Sequence, residues 1–460
     1  MYCCRLIDRH LSDWASREVH KPLLLRGARQ VGKSTAVRHL GEQFEQYVEI
    51  NFEKHAEYKT LFHNNLDVRR IISLIEAMKG KPIKPGKALL FLDEIQSCPE
   101  AIMSLRFFKE DLPELHIIAA GSLLEFALEE LPTFGVGRIH SMFMYPMTFD
   151  EFLLANGEQA LMNARNLSSA SKPLPEPLHN KLTSLFRTYI MVGGMPEAVA
   201  KWIETPDYLQ CQEIQDDIIV SYEDDFPKYR KKVDPILLRL TMRSAAVQMT
   251  SKFVYSQVGG GYNTKEVKKA VEMLILAGIL IPVTRTAANG LPFGSESDES
   301  WRKILLLDSG LMLRLLNMSL GGITEFTTQI FTATDSDLVN KGPMAEMIAG
   351  LEILRHRTPN LRHELYYWTR DAKNSQAEID YVIENQQGVL PIEVKAGIQG
   401  GMKSLWMFMG EKNLDKAVRC SFENFGEFDY NDINKNAIRH VYICPLYAIS
   451  MVQSICKTNK

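Results

Sequence analysis

The sequence predicts an α/β fold that opens with a parallel sheet covered by helices on both faces. Three observations carry that expectation. Short apolar runs recur at residues 23–25, 47–52, 88–92 and 116–120, each followed by a stretch of helical or loop character. Between the first run and the next helical stretch lies an octapeptide with two glycines, Gly27 to Ser34. The third run leads directly into two consecutive carboxylates, Asp93 and Glu94.

Composition bounds what can be built around that sheet. At 460 residues the chain exceeds what one hydrophobic core usually organises, so two or three domains are expected. Apolar residues at 45% and charged residues at 24% are values of ordinary globular protein and exclude a disordered chain. A net charge of -3 excludes a global basic field and leaves any nucleic-acid contact to a local patch. The seven cysteines are scattered without a CxxC pair, which argues against a zinc ribbon or disulfide framework and for a reducing compartment. Arg5, Asp8 and Arg9 place charge where a signal peptide needs apolar residues, and the longest apolar stretch, 273–283, is too short to span a bilayer. A cytoplasmic chain with no membrane partner is expected.

Gly27-Ala28-Arg29-Gln30-Val31-Gly32-Lys33-Ser34 matches GxxxxGK[ST] between a strand and a helix, the context a P-loop requires. Its glycines let successive backbone N–H groups of the loop, through Arg29, Gln30 and Val31, turn toward phosphates at a helix N-terminus that favours anions. Lys33 is expected on the β- and γ-phosphates of ATP, Ser34 on magnesium, and Thr35 beside them. Asp93, delivered at the end of an apolar strand, is expected to hold the magnesium, and Glu94 to polarise the attacking water. Ser122 ends the next strand, where a polar group can sense the γ-phosphate. Arg138 is a candidate to supply charge to the phosphates in cis or, in a homo-oligomer, to a neighbouring subunit.

These phrases carry a resemblance. The P-loop with Arg29-Gln30 before Val31-Gly32-Lys33, Gly137-Arg138 followed by Tyr145-Pro146-Met147-Thr148-Phe149, and Gly193-Gly194-Met195-Pro196-Glu197 together resemble a family of prokaryotic AAA-type ATPases. Members carry a C-terminal domain similar to restriction endonucleases. The resemblance spans nearly the whole chain. It implies an AAA-type ATPase core over 1–155, and Gly194 and Pro196 as nucleotide contacts from a lid.

After residue 151 the pattern changes to long amphipathic stretches without strands, read as a helical lid over 156–240, with a surface loop at 168–177. Residues 241–330 follow the order helix, turn, helix and two short strands, which is that of a winged helix. Its second helix, 264–277, has Asn263 or Thr264 as cap and Val267, Val271, Leu274 and Ile275 on one face. Lys265, Lys268 and Lys269 on that helix, Arg285 in the wing and the run Lys228 to Lys232 are candidate contacts to nucleic acid, DNA rather than RNA.

The last segment, 331–460, reads as a second α/β domain. Ile392-Glu393-Val394-Lys395 alternates apolar and charged, and Glu378 to Ile383 is a second strand before it. A symmetric hairpin loop around residues 385–388 pairs positions whose numbers sum to roughly 773, setting Asp380 opposite Glu393 and Glu378 opposite Lys395. Two carboxylates directly paired across strands repel unless a cation lies between them. Magnesium, or manganese, is the expected ion. Acids plus a lysine in this arrangement resemble the site of PD-(D/E)xK nucleases, with Ile379 standing where that motif's proline would be. The resemblance implies Asp380, Glu393 and Lys395 as catalytic, and adds Glu346, from a helix whose buried face is Met344, Met347, Ile348 and Leu351, as a further metal ligand. The expected function is ATP hydrolysis whose nucleotide state controls a metal-dependent nuclease-like domain; the alternative is a regulatory ATP switch whose C-terminal domain binds nucleic acid or protein and cuts nothing.

Overall fold

The computed structural model describes residues 2–63, 65–122, 124–130, 137–319, 341–370, 377–386, 388–396, 401–433 and 435–455. They divide into two compact units. The first comprises Met1–Met147, Leu276–Ile279 and Thr358–Arg362, and the second Thr148–Ile275, Leu280–Arg357 and His363–Lys460.

In the first unit the elements run α1 (Leu6–Ala15), β1 (Leu23–Arg26), α2 (Lys33–Gly41), β2 (Gln46–Asn51), α3 (Val68–Lys79), β3 (Ala88–Asp93), α4 (Pro99–Asp111), β4 (His116–Ala120), α5 (Leu124–Glu130) and β5 (His140–Phe143). The five strands form one sheet in the order β2-β3-β4-β1-β5, all parallel. Every residue of β3 and β4 is buried, as unbroken apolar runs require when helices cover both faces. The cap residues explain the helix ends. Asp67 accepts from the backbone of Arg69 and Arg70 at the start of α3, and Gly80, at φ 64°, closes it in the left-handed conformation that favours glycine. The four expected strands match to within a residue at each end. The short β5 had no sequence signal. Its outer edge is covered by the returning segment 358–362, where Phe143 N donates to Pro359 O at 2.8 Å and His140 Nε2 lies 3.1 Å from Asn360 Oδ1.

The second unit begins with helices. They are α6 (Phe149–Ala155), α7 (Gln159–Asn166), α8 (Glu176–Val192), α9 (Pro196–Glu204), α10 (Tyr208–Asp225), α11 (Pro235–Val247) and α12 (Thr264–Leu276). Then come β6 (Leu280–Thr286), β7 (Ser297–Leu306), α13 (Ser309–Ser319), α14 (Lys341–Arg355), β8 (Leu365–Thr369), β9 (Glu378–Asn385), β10 (Gly388–Val394), α15 (Lys403–Lys412), β11 (Lys416–Ser421), β12 (Gly426–Asp432) and β13 (Ala437–Pro445). All eight strands join one mixed sheet, ordered β12-β13-β11-β10-β9-β8-β6-β7.

That order changes the expected organisation. The helix-turn-helix-hairpin sequence is present, with Asn263 capping α12 through the backbone of Lys265 and Glu266. Its hairpin, however, is not a free wing, because β6 pairs in parallel with β8 and extends the C-terminal sheet. An uncovered β8 would leave a row of unpaired backbone groups, which β6 satisfies. The expected boundary at 240 therefore falls inside a single compact unit, and the one at 330 lies outside the described residues. The unit begins at Thr148, whose hydroxyl accepts from Glu151 N while Glu151 Oε2 accepts from Thr148 N, a capping box that starts α6.

A buried charged network fastens the helices of this unit to α14. Arg355 donates to the Tyr189 hydroxyl at 2.7 Å, and that hydroxyl donates to Glu352 Oε1 at 2.8 Å. Glu352 Oε2 accepts from Phe149 N at 3.1 Å. Buried charges are tolerated when their lone pairs and protons are taken up in this way.

Candidate functional site

The P-loop lies between β1 and α2, and its backbone takes the shape its residues allow. Gly27, Gln30 and Gly32 have φ of 140°, 62° and 97°, so the loop turns repeatedly through the left-handed region. At Gly27 a side chain is excluded outright, since a Cβ would stand 2.1 Å from Met144 O. Arg5, just before α1, holds the loop from behind by donating to Val31 O at 2.8 Å and Tyr145 O at 2.7 Å. Val31 is buried, Arg29 is partly buried, and Gln30 and Thr35 are exposed. Lys33 is buried, with Nζ donating to Gly27 O at 2.9 Å and Ala28 O at 2.7 Å. Burial pulls its ammonium down to about 8, against the opposing field of Glu94 and Asp93. Phosphate oxygens arriving at the loop would restore that charge.

The strand order brings the acids to the same edge of the sheet. Ser34 Oγ donates to Asp93 Oδ1 at 3.1 Å, and Asn51 Nδ2, from the end of β2, donates to Asp93 Oδ2 at 3.0 Å. Glu94 sits in the left-handed region at φ 50°, a strained conformation for a carboxylate residue. Its Oε2 accepts from Gln96 Nε2 at 2.6 Å and from both the backbone N and the hydroxyl of Ser122 at 3.3 Å. Ser122 thus reaches the site through Glu94. This follows from β4 lying between β3 and β1. A Cβ at Gly121 would fall 1.8 Å from Gln96 Oε1, so a side chain there would displace the Gln96 amide that bonds to Glu94. A cleft opens beside the loop, lined by Gly27, Ala28, Gly121, Ser122 and Arg362 among others. Arg138 is not brought there. It pairs with Glu110 and just precedes β5, whose first residue is level with Leu23, at the N-terminal ends of the strands, whereas the loop leaves β1 at its C-terminal end.

In the second unit the carboxylates converge as the hairpin arithmetic requires. Asn385 pairs with Gly388 and Tyr381 with Ile392, which is the expected register. Beyond that pair the ladder gives way to side-chain bonding, with Val394 N donating to Asp380 Oδ2 at 2.7 Å. Glu346 on α14, Glu378 and Asp380 each offer an oxygen within 4.8 Å of the others. Lys395 Nζ lies 2.5 Å from Glu393 Oε1, while the buried Glu393 Oε2 has no hydrogen-bond partner. Burial, and then the mutual repulsion with Asp380, push the Glu346 and Glu393 carboxyls above the usual range. Three carboxylate oxygens this close fit magnesium or manganese; Glu378 joins Glu346 and Asp380 there, and Glu393, expected as a ligand, is not among the three.

One residue of this cluster had no sequence signal. Lys303 on β7 reaches Glu346 Oε1 at 2.7 Å and Glu378 Oε1 at 2.6 Å. Glu378 was expected beside Lys395 and bonds to Lys303 instead. Asn51 and Arg5 have no sequence signal for the same reason, each acting through a contact distant in sequence, whereas Gln96 bonds to Glu94 only two residues away and carries no motif that marks it. Gly194 and Pro196 are held within the second unit. Gly194 N donates to the buried Asp308 Oδ2 at 2.6 Å, and Pro196 opens α9. Lys265, Lys268 and Lys269 are exposed on α12, whereas Arg285 is drawn to Asp298 and over the Trp301 ring.

With this geometry in place, the class is defined: the first unit is a P-loop ATPase fold. Residues 19–153 match a family model described as an AAA domain, which agrees with the P-loop fold of this unit. Residues 183–320 and 341–442 match models described as domains of unknown function, DUF8612 and DUF4143. No curated protein matches the chain in sequence. Among solved structures it is similar to the Walker-type ATPase of Pyrococcus abyssi, at 15% identity and TM-score 0.45, over 68% of this chain and 96% of that one. It is also similar to the Aeropyrum pernix ORC1 protein in complex with DNA, at 12% identity and TM-score 0.29, over 68% of this chain and 91% of that one. Likeness at these scores carries nothing about partners. Among the described residues no helix is long and apolar enough to cross a membrane.

Proposed function

We propose that this protein binds and hydrolyses ATP and that its nucleotide state controls a divalent-metal site in the second unit acting on nucleic-acid phosphodiesters. The observation that carries the ATPase half is the joined set Ser34, Asp93 and Asn51 beside Glu94 and Ser122. Lys33 and the loop backbone bind the phosphates, Ser34 and Asp93 hold magnesium, and Glu94 orients water for in-line attack. In the second unit Glu346, Glu378 and Asp380 would hold magnesium or manganese, with the sequence-expected ligand Glu393 next to them in charge but outside that group. Bound there, the ion supplies Lewis-acid polarisation of a phosphodiester. Lys395 acts on the attacking water, and the lysines of α12 offer a basic surface for the strand.

A second reading has its own support. Lys303 already neutralises two of the acids, which favours a regulatory ATP switch that binds nucleic acid or protein without cutting. Incubation of the purified protein with labelled single- and double-stranded DNA and RNA, with magnesium or manganese and with or without ATP, decides between them. Cleavage that disappears in Asp380→Asn supports the nuclease reading. ATP turnover with all four substrates intact replaces it with the switch.

A further inference from the structure

Lys303 is an unusual occupant for a metal-type cluster. It is 1% exposed, comes from β7 rather than from the strands that carry the acids, and lies with its ammonium 4.9 Å from the centre of the Tyr367 ring. Its strand is fixed on both sides, pairing Val283 with Lys303 and bridging to Lys252. The ammonium takes one oxygen each from Glu346 and Glu378, two of the three carboxylates that lie within 4.8 Å of one another. A magnesium or manganese ion drawing on those oxygens would need them at about 2.1 Å. A second positive charge cannot remain on the same oxygens, since like charges a few ångströms apart in a poorly solvated site repel strongly. Meanwhile Glu393, outside that group of three but within the electrostatic reach of Asp380 and Lys303, keeps its Oε2 buried and without a hydrogen-bond partner.

We infer that Lys303 is a built-in cation that closes the carboxylate site, so that a divalent ion enters only by displacing its ammonium from Glu346 and Glu378. The inference rests on the reading of this cluster as a metal site. It makes the metal-free state closed by an internal contact, with the Lys303 side chain, carried on a strand paired on both sides, as the part whose movement opens it. Two carboxylates exchange one ammonium for one divalent ion, and no covalent bond is made or broken.

The test uses the full-length protein without nucleotide and manganese as the probe, with free ion measured by electron paramagnetic resonance. Lys303→Met, which keeps the stem and removes the charge, is expected to bind manganese at least tenfold more tightly than wild type. Lys303→Arg, which keeps the charge, is expected to bind no more tightly than wild type, and adding Asp380→Asn to Lys303→Met is expected to abolish the gain. Manganese bound by wild type and no more tightly by Lys303→Met overturns the closure while leaving the metal site standing. Absence of binding in wild type and in all three variants overturns both. Should Lys303→Met not fold, wild type answers alone. An amine-reactive reagent is expected to label Lys303 at least fivefold faster once manganese is bound, and an unchanged labelling rate in the manganese-bound protein overturns the proposal.

Discussion

Asn51 and Asp93 meet at the ends of two neighbouring parallel strands, the Asn51 amide donating to the carboxylate oxygen that Ser34 leaves free. The amide fixes the orientation in which Asp93 presents its other oxygen toward the P-loop. Asn51→Ala is expected to raise the KM for magnesium-ATP about tenfold with a smaller loss in kcat, the cost of a loosened metal ligand. Steady-state ATPase kinetics across magnesium concentrations measure it, and an unchanged KM removes Asn51 from the site.

Lys33 and Glu94 serve separable tasks, so their variants are expected to fail differently. Lys33→Ala loses the charge on the phosphates and binds ATP weakly, whereas Glu94→Gln keeps binding and loses about 100-fold or more in hydrolysis. Ser122→Ala leaves Glu94 its backbone donor and is expected to cost only a few-fold. Nucleotide titration alongside single-turnover hydrolysis separates the two defects. Undiminished hydrolysis by Glu94→Gln would give the water to another group.

Divalent cation is expected to raise the melting temperature of the second unit without nucleotide, by linkage of binding to folding. The increment is expected to vanish in Asp380→Asn and to persist in Lys33→Ala. Differential scanning calorimetry with and without manganese reads it. An increment that follows Lys33 would move the effect to the ATP site.

His356 supplies a pH dependence. Burial opposes its charge, but the Asp150 carboxylate, 3.5 Å from Nε2, and the Glu352 carboxylate outweigh it and raise the imidazole to about 9. The folded chain therefore keeps a proton that the unfolded chain loses near pH 6.5. The stabilisation, at most about 3 kcal/mol, is fully present below pH 6.5 and is lost as the pH rises through 9. Urea unfolding of wild type is expected to show that decline and His356→Gln a flatter profile. Parallel profiles would mean the histidine is neutral in the folded chain.

Gly193 is expected to tolerate nothing larger. At φ 75° an added Cβ would lie 2.2 Å from Asp308 Oδ1, so Gly193→Ala combines backbone strain with displacement of a buried carboxylate and costs about 3 kcal/mol. Gly80→Ala, at a similar φ with open space around it, is expected to cost about 1 kcal/mol. Equal losses in denaturant unfolding would show that the clash relaxes.

What could be read from the sequence was local. The P-loop announces itself because eight adjacent residues must all satisfy one backbone shape, and the pairing of β9 with β10 follows from the short loop that joins them. The buried face of α14 was visible in the spacing of Met344, Met347, Ile348 and Leu351, all of which are buried. Lys303 was not visible, because nothing near it in sequence distinguishes a lysine that will be buried against Glu346, forty-three residues on, from a solvated one. The hairpin of β6 and β7 was read correctly as a pair of strands and assigned to a wing because its other partner, β8, lies beyond α13 and α14. Arg138 is singled out by motif alone, and the parallel register of β5 with β1 puts it at the ends of the strands away from the loop.

The first unit is made from three pieces of chain, and the last of them, Thr358–Arg362, caps the outer edge of β5. On a ribosome adding about 5–20 residues per second, that cap emerges roughly 10 to 40 s after the strand it covers. Throughout that interval the nascent ATPase sheet carries an open edge, the kind of surface on which chains pair with the wrong neighbour. A fragment cut at residue 155 keeps that edge open permanently. Its solubility would be a poor guide to the stability of the same strands in the finished chain.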